Sequence, residues 1–349
     1  MNLKETTVYS YSRFSTFHNC QYEYYNTYVL KNKGIENVYT LTGSLIHDNL
    51  EKIYKSKGDI QSFHNSFEEK LMELDLLGID FPNEKVKEAW MKDVRHFISN
   101  FNKIDSKMLL EKEIKFEVGD GIYLKGFVDA ILPSDKGKPY VNVYDWKTSS
   151  KFSGKKLDEA GRQLLLYKIG LESDKAIKVD KVMWFMIKYV YVCNVLKNTK
   201  TKRKMCNRHK WVKEIRKQVE KELYKLMLDE FEIELLLDKA ESENNLNCMP
   251  VEIQKKYWLE DCIVEYEVTD EKLNDVRAFV KDTVVEIERK NKANEDEWVP
   301  VKIDKYNSFY CGVLCGHRKR CKYYKQFLED NSNNFEAKKK ENEFENLFS

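Results

Sequence analysis

No stretch of this 349-residue chain stays apolar for long enough to cross a bilayer. Its opening, MNLKETTVYSYSRF, lacks the apolar stretch of a secretory signal. The expectation is a soluble protein of the cytoplasm with no membrane partner. Its eight cysteines would be reduced there, so cysteines that cluster point to a metal or an inorganic cluster instead of disulfides. No internal repeat and no low-complexity segment stands out. Charge of one sign is not in excess either: 60 basic and 58 acidic residues leave +2. A polyanionic partner would therefore have to be met by a local patch. What remains is an ordinary globular balance, 42% hydrophobic and 34% charged, long enough for one large domain with insertions or for two domains.

The most informative stretch covers residues 126–147. Two alternating apolar runs, 122–132 and 140–146, flank a polar turn containing Pro133, Gly137 and Pro139. That pattern predicts a β-hairpin. Asp129 falls on the first strand, and Asp145 and Lys147 on the second. Positions i and i+2 of a strand share a face, so Asp145 and Lys147 point the same way. Two carboxylates and an ammonium then converge. Carboxylates bind hard divalent cations. A lysine beside such an ion can orient or help deprotonate a water attacking a phosphodiester. The same residue types also occur on solvated strand faces, so the rest of the chain must decide.

Residues 8–30 are dense in aromatics and read as a helix capped by Ser12 or Ser15, with Cys20 inside it. Residues 34–42 read as a linker, and 43–54 as a helix on which His47 and Glu51 share a face. Residues 59–104 predict two or three helices broken between Gly78 and Asn83, with Trp90, Val94, Phe97, Ile98 and Phe101 at core spacing. The sheet is expected to begin at LLEKEIKFEV, 109–118, where Glu113 is a candidate extra acid, more simply read as a surface carboxylate on an edge strand. A helix is expected over 156–171, carrying Gln163 and Tyr167 on one side, either solvent-facing or donating to a phosphate backbone. Residues 180–197 read as a pair of apolar strands, 212–240 as one long helix, 241–256 as a loop, 262–268 as a strand and 273–290 as a helix.

Two further segments carry chemistry. KNTKTKRKMCNRHKWVKEIRK, 197–217, holds ten Lys or Arg and one Glu. It is either a solvated face or a set of phosphate contacts, for which Lys202, Arg203, Lys204, Arg208 and Lys210 are the candidates. FYCGVLCGHRKRCKYY, 309–324, places Cys311, Cys315 and Cys321 within eleven residues. Three thiolates call for a fourth ligand around zinc or an iron–sulfur cluster, with His317, Cys20, Cys206 and Cys248 all open. The charged tail, 329–349, is expected to be mobile.

Taken in order, these stretches resemble the PD-(D/E)XK nuclease superfamily. The nearest branch is the RecB-like one, with the iron–sulfur nucleases of recombination and CRISPR adaptation and many phage exonucleases. The resemblance runs through most of the chain: Ser12 to Cys20, loosely, as S-x-x-x-F-x-x-C; Gly43 to His47 as G-x-x-x-H; Gly126 to Asp129 as G-x-x-D; Asp145 to Lys147, then Thr148 and Ser149, as D-x-K; Gln163 to Tyr167 as Q-x-x-x-Y; and the terminal cysteines. It implies an α/β restriction-endonuclease-like core, a mixed central sheet flanked by helices, with a helical insertion and a C-terminal cysteine segment. The corresponding divisions are 1–58 and 59–108 (the insertion), 109–198 (catalytic sheet and Gln/Tyr helix), 199–300, 301–328 (cysteines) and 329–349.

The resemblance also implies roles. His47, Asp129 and Asp145 look like ligands of Mg²⁺ or Mn²⁺, with the Trp146 carbonyl nearby. Lys147 looks like the residue that positions or activates water, and Gln163 and Tyr167 like part of the DNA-facing shell. Cys20 would join Cys311, Cys315 and Cys321 around a [4Fe–4S] cluster, with zinc as the alternative. This sequence departs from the branch in a first cysteine gap of three residues, where two is commoner, and in Gln21, where proline usually follows the first cysteine. The implied activity is that of a metal-dependent deoxyribonuclease, a single-strand exonuclease of DNA replication, recombination or repair, of phage type. Alternatives are a structure-selective endonuclease, a CRISPR-type processing nuclease, or a non-catalytic nucleic-acid-binding module. No G-x-x-x-x-G-K-[ST] loop occurs, so a helicase partner would be another chain.

Overall fold

One mixed sheet carries both layers of the protein. A computed structural model describes residues 7–196, 199–304 and 307–331, and the tail from 332 onward lies outside the described residues. The strands among them are β1 (Val8–Tyr9), β2 (Leu109–Gly119), β3 (Ile122–Pro133), β4 (Tyr140–Lys147), β5 (Lys178–Val195), β6 (Thr201–Asn207) and β7 (Tyr257–Tyr266). β2, β3 and β4 form an antiparallel meander, and β1 lies parallel to β3. β4 then runs parallel to the first half of β5, whose second half pairs antiparallel with β6. The opposite edge of β5 takes β7, with a register shift between Phe185 and Val190.

The helices are α1 (Tyr11–Asn19), α2 (Gln21–Tyr24), α3 (Val38–Tyr54), α4 (Ile60–Leu76), α5 (Glu84–Ser99), α6 (Lys155–Glu172), α7 (Trp211–Lys225), α8 (Glu230–Glu243), α9 (Val251–Lys256), α10 (Asp270–Lys290) and α11 (Lys322–Asp330). One sheet face is covered by α1, α6 and α10, through Phe14, Leu164, Leu165 and Val280 against Phe116, Val128 and Trp184. The other is covered by α3, α4 and α5, through Ile46, Leu50, Phe67 and Phe97 against Leu132, Trp146 and Phe185. A third cluster packs α7, α8 and α9 on the far half of β5. The expected architecture, a mixed sheet with helices on both faces, is the one observed. No helix among the described residues is long and apolar enough to cross a membrane.

Several local expectations need correction. Residues 178–195 form one strand, not two: nothing in KVDKVMWFMIKYVYVCNV supplies a turn, and burial on both faces makes a continuous apolar run. The long helix over 212–240 is a pair, α7 and α8, broken where Met227 takes a left-handed φ of 58° and Asp229 opens α8 with a capping box to Glu232. The stretch read as a loop contains α9, and the linker before Gly43 is already helical from Val38. Ser10, not Ser12 or Ser15, caps α1, its hydroxyl accepting from the Arg13 amide. Cys20 lies outside regular helix: at φ −162° and ψ 111° it separates α1 from α2.

Two helix glycines set how closely α6 rides on the sheet. A Cβ at Gly170 would sit 2.6 Å from the Phe116 ring, and one at Gly161 would collide with the ring of Tyr266. That close approach brings Gln163 and Tyr167 over the strands that carry the acids.

Candidate active site

Asp129 is the hub. It is buried at the middle of β3, and its Oδ2 accepts the Trp146 amide of β4 at 2.8 Å. The ladder between β2 and β3 pairs Leu110 with Ala130 and Lys112 with Val128, so Glu111 falls opposite Asp129. Glu111 has a left-handed φ of 48°, a conformation a non-glycine residue holds only when its surroundings impose it. The strand changes face there: Leu110 packs under α3 to α5, whereas Ile114 and Phe116, at the same strand parity, pack under α6.

His47 arrives from α3, whose N-terminus Asn37 caps by accepting the Thr40 amide at 3.0 Å. Ile46 and Leu50 seat that helix in the core, and the His47 ring stands edge-on to Trp146 at 5.6 Å. His47 Nδ1 lies 3.5 Å from Asp129 Oδ2. Single donor atoms of His47, Glu111 and Asp129 all lie within 4.8 Å of one another. Burial pushes the His47 pKa below its ordinary value, which leaves a neutral imidazole near pH 7.

Asp145 and Lys147 adjoin this trio. The Lys147 ammonium lies 2.6 Å from Asp145 Oδ2 and donates to Gln163 Oε1 at 3.0 Å. Gln163 Nε2 in turn donates to the Tyr167 hydroxyl at 2.7 Å. The Asp145 carboxylate is 1% exposed, yet its Oδ2 accepts no aligned hydrogen bond; the contact with Lys147 is a Coulomb pair only. Burial, and then the charge of Asp145, hold the Asp129 carboxyl well above the usual carboxylate range. Burial, then Glu51 and Asp48, raise that of Glu111. A partly buried site with this many acids and a neutral imidazole fits a hard divalent cation, whose charge would reverse each of these penalties.

Of the residues expected here, His47 and Asp129 stand with Glu111 in the close trio, and Asp145 pairs with Lys147. Trp146 enters through its amide and through its indole, which stacks on Tyr54 at 6.2 Å. Of the other acids considered, Glu113 pairs with Lys125 on the surface and Glu51 with Lys55 on its own helix. Glu111 was hard to reach from the sequence: counted straight from the turn at GDG, 119–121, residue 111 falls opposite 130, and an irregularity between Glu117 and Gly119 moves it opposite 129. A cleft of about 510 Å³ opens beside the site, between Gln163 and Tyr167 on one wall and Arg13, Tyr28 and Phe127 on another.

The basic run does not form one face. Arg203 pairs with Glu260 at 2.9 Å, Lys204 donates to the Glu214 carbonyl, and Lys202 stays exposed on β6. Arg208, expected at a phosphate, is instead 2% exposed, donating to the Ile187 carbonyl at 2.7 Å and to Asp261 at 2.9 Å. Lys210 borders a cleft.

Cys20, Cys311, Cys315 and Cys321 line one small cavity of about 20 Å³, where α1 and α2 meet the C-terminal segment. Cys206 lies in the third core cluster, and Cys248 donates to the Leu236 carbonyl, so neither joins them. His317 is engaged with Thr27 at 2.9 Å. Burial, with Cys20 and Cys321 adding to it, pushes the Cys311 thiol up to about 12. The segment is tied to the N-terminal region: Glu23 accepts from the Tyr310 hydroxyl and the Gly316 amide, and Asn37 donates to the Leu314 carbonyl.

No curated protein matches the chain. A family model does, from residue 8 to residue 322, and so from β1 past the last clustered cysteine. The span takes in every element that contributes a donor to the acidic centre, and on that match the chain belongs to the PD-(D/E)XK nuclease superfamily.

Proposed function

We propose that this chain is a divalent-metal-dependent deoxyribonuclease that works as an exonuclease on single DNA strands, in replication, recombination or repair. The observation that carries the reading is the continuity of the site: His47, Glu111 and Asp129 hold their donor atoms within 4.8 Å, and Asp145 and Lys147 adjoin them. A Mg²⁺ or Mn²⁺ ion bound there would offset the charge that develops on a phosphodiester and acidify a water. The imidazole donor favours Mn²⁺. Neutral His47 offers its lone pair without losing a proton first. Lys147, held between Asp145 and Gln163, presents an ammonium that orients the attacking water and neutralises charge on the phosphate. Gln163 and Tyr167 fix that ammonium from the side of the cleft. A cleft of about 510 Å³ suits one strand's end better than a duplex.

The test uses linear and circular single-stranded DNA with Mn²⁺. The parent should degrade the linear form and spare the circle, and Asp145→Ala and Lys147→Ala, still folded, should leave both forms intact. Cleavage by both variants at the parent's rate would overturn the reading, and cutting of the circle would turn it toward an endonuclease.

The four cysteines of the small cavity are proposed to hold a [4Fe–4S] cluster, in the manner of the RecB-like branch. Zinc at about 2.3 Å from each thiolate would draw the sulfurs to about 3.8 Å apart. Anaerobically purified protein should be brown, with about four irons per chain. A colourless, iron-free protein that is folded and active would remove the cluster.

A further inference from the structure

A second cleft, of about 660 Å³, starts where the catalytic strand ends. Its wall includes Thr148 and Ser149, the two residues that follow Lys147. The loop they begin is held by the Lys151 amide donating to the Tyr189 hydroxyl at 3.1 Å. Lys85 of α5, Lys188 of β5 and Lys210 face the same space. None of these three lysines is ion-paired among the described residues. Asp93, an acid on the wall, is taken up by His209, through its amide at 2.8 Å and its ring Nδ1 at 2.9 Å.

Lys188 is the informative member. It sits at the register shift of β5 against β7. Burial pushes its pKa below the ordinary lysine value, with Asp93 only partly restoring it. A half-buried cation with no bonded acid is costly to keep. Trp90, on the same wall, is 3% exposed, and its indole N–H has no acceptor. The cleft thus gathers three lysines, and the carboxylate on its wall, Asp93, is already engaged by His209.

We propose that this cleft binds the phosphodiester backbone of a single DNA strand next to the bond being cut, with Lys188 and Lys210 as phosphate contacts and Ser149 as a neutral donor. The proposal rests on the nuclease reading above and adds the path of the strand. The cations stand on three separate elements along a cleft that begins one residue beyond Lys147, which suits successive phosphates better than one small anion. The volume is that of a small-ligand pocket, enough for a few units of one strand. The exposed lysine of β6, Lys202, lies off this path.

Binding of a fluorescent dT12 oligonucleotide to the full chain tests it, with Ca²⁺ replacing Mn²⁺ so that binding is read without cleavage. Anisotropy is followed between 50 and 200 mM KCl (experimental settings, roughly the span over which such contacts are lost). Each phosphate contact on a single strand contributes about 0.7 to the slope of log affinity against log salt. Lys188→Gln/Lys210→Gln should weaken binding about tenfold or more and flatten the slope by about 1.4, and Lys210→Gln alone by about 0.7. Hydrolysis of bis(p-nitrophenyl) phosphate with Mn²⁺, a substrate too short to span from the metal centre into the cleft, should be seen in the parent. Lys202→Gln should bind as the parent does. A parent-like salt slope in Lys210→Gln and in the double variant would overturn the proposal. Should the parent fail to hydrolyse the small diester, the nuclease reading fails, while the salt slopes still decide the cleft.

Discussion

The acidic centre and the cysteine cavity are built in opposite ways. The first is drawn from adjacent strands and one helix, and a strand register holds Glu111 and Asp129 face to face in spite of their charges. The second is drawn from residues 20 and 311–321, held by side chains such as Glu23 and Asn37 that reach the backbone of the other end. A site framed by a sheet keeps its shape without its ligand. A site framed by two chain ends depends on whatever joins them, so loss of its ligand should be felt first in folding.

The widest separation of the two comes from removing chemistry in the first. Asp145→Ala or Lys147→Ala should lower DNA hydrolysis by about 10³-fold or more while thermal melting shifts by only a few degrees. Cys311→Ser together with Cys315→Ser should do the reverse: iron is lost and melting falls by roughly 5 °C or more, with residual cleavage tracking the folded fraction. A cysteine pair whose loss left melting unchanged would break the comparison.

Arg208→Gln sharpens it from a third direction. Asp261 and the Ile187 carbonyl would lose a buried guanidinium, at a cost of about 3 kcal/mol in denaturant unfolding, while the salt slope of DNA binding stays that of the parent. Within the acidic centre, Glu111→Gln should weaken Mn²⁺ binding about tenfold by calorimetry, and Glu113→Gln should leave it unchanged.

The smallest effect concerns pH. Burial and Asp145 raise the Asp129 carboxyl in the folded, metal-free chain above its value in the unfolded one. The folded state then holds that proton more tightly, so stability falls as pH rises from the ordinary carboxylate range through the raised value. Asp129→Asn keeps an acceptor for the Trp146 amide. It should remove this slope and raise melting of the metal-free protein at pH 7, while abolishing cleavage. An unchanged slope would mean that Asp129 is not the strained group.

Much of this was legible in the sequence because it is local. Alternation fixed the β3–β4 hairpin, and the four-residue spacing put Gln163 and Tyr167 on one side of α6, where they link to Lys147. What escaped depends on distant partners. Glu111 becomes a candidate ligand only through a register counted across a turn and a left-handed residue within a strand. Arg208 sits in a run of exposed charge but is claimed by a carbonyl and a carboxylate elsewhere in the chain. The length of β5 was missed because a strand buried on both faces carries no alternation to mark its extent.

The central claim is that one divalent cation is shared by residues from α3, β2 and β3. Anomalous diffraction from crystals soaked in Mn²⁺ measures this directly. The account predicts one strong peak per chain within about 2.3 Å of a His47 nitrogen and of oxygens of Glu111 and Asp129, with Asp145 beside it. A peak that engages Asp129 and Asp145 and leaves His47 and Glu111 outside coordinating distance, or a lone peak elsewhere in the molecule, would contradict it.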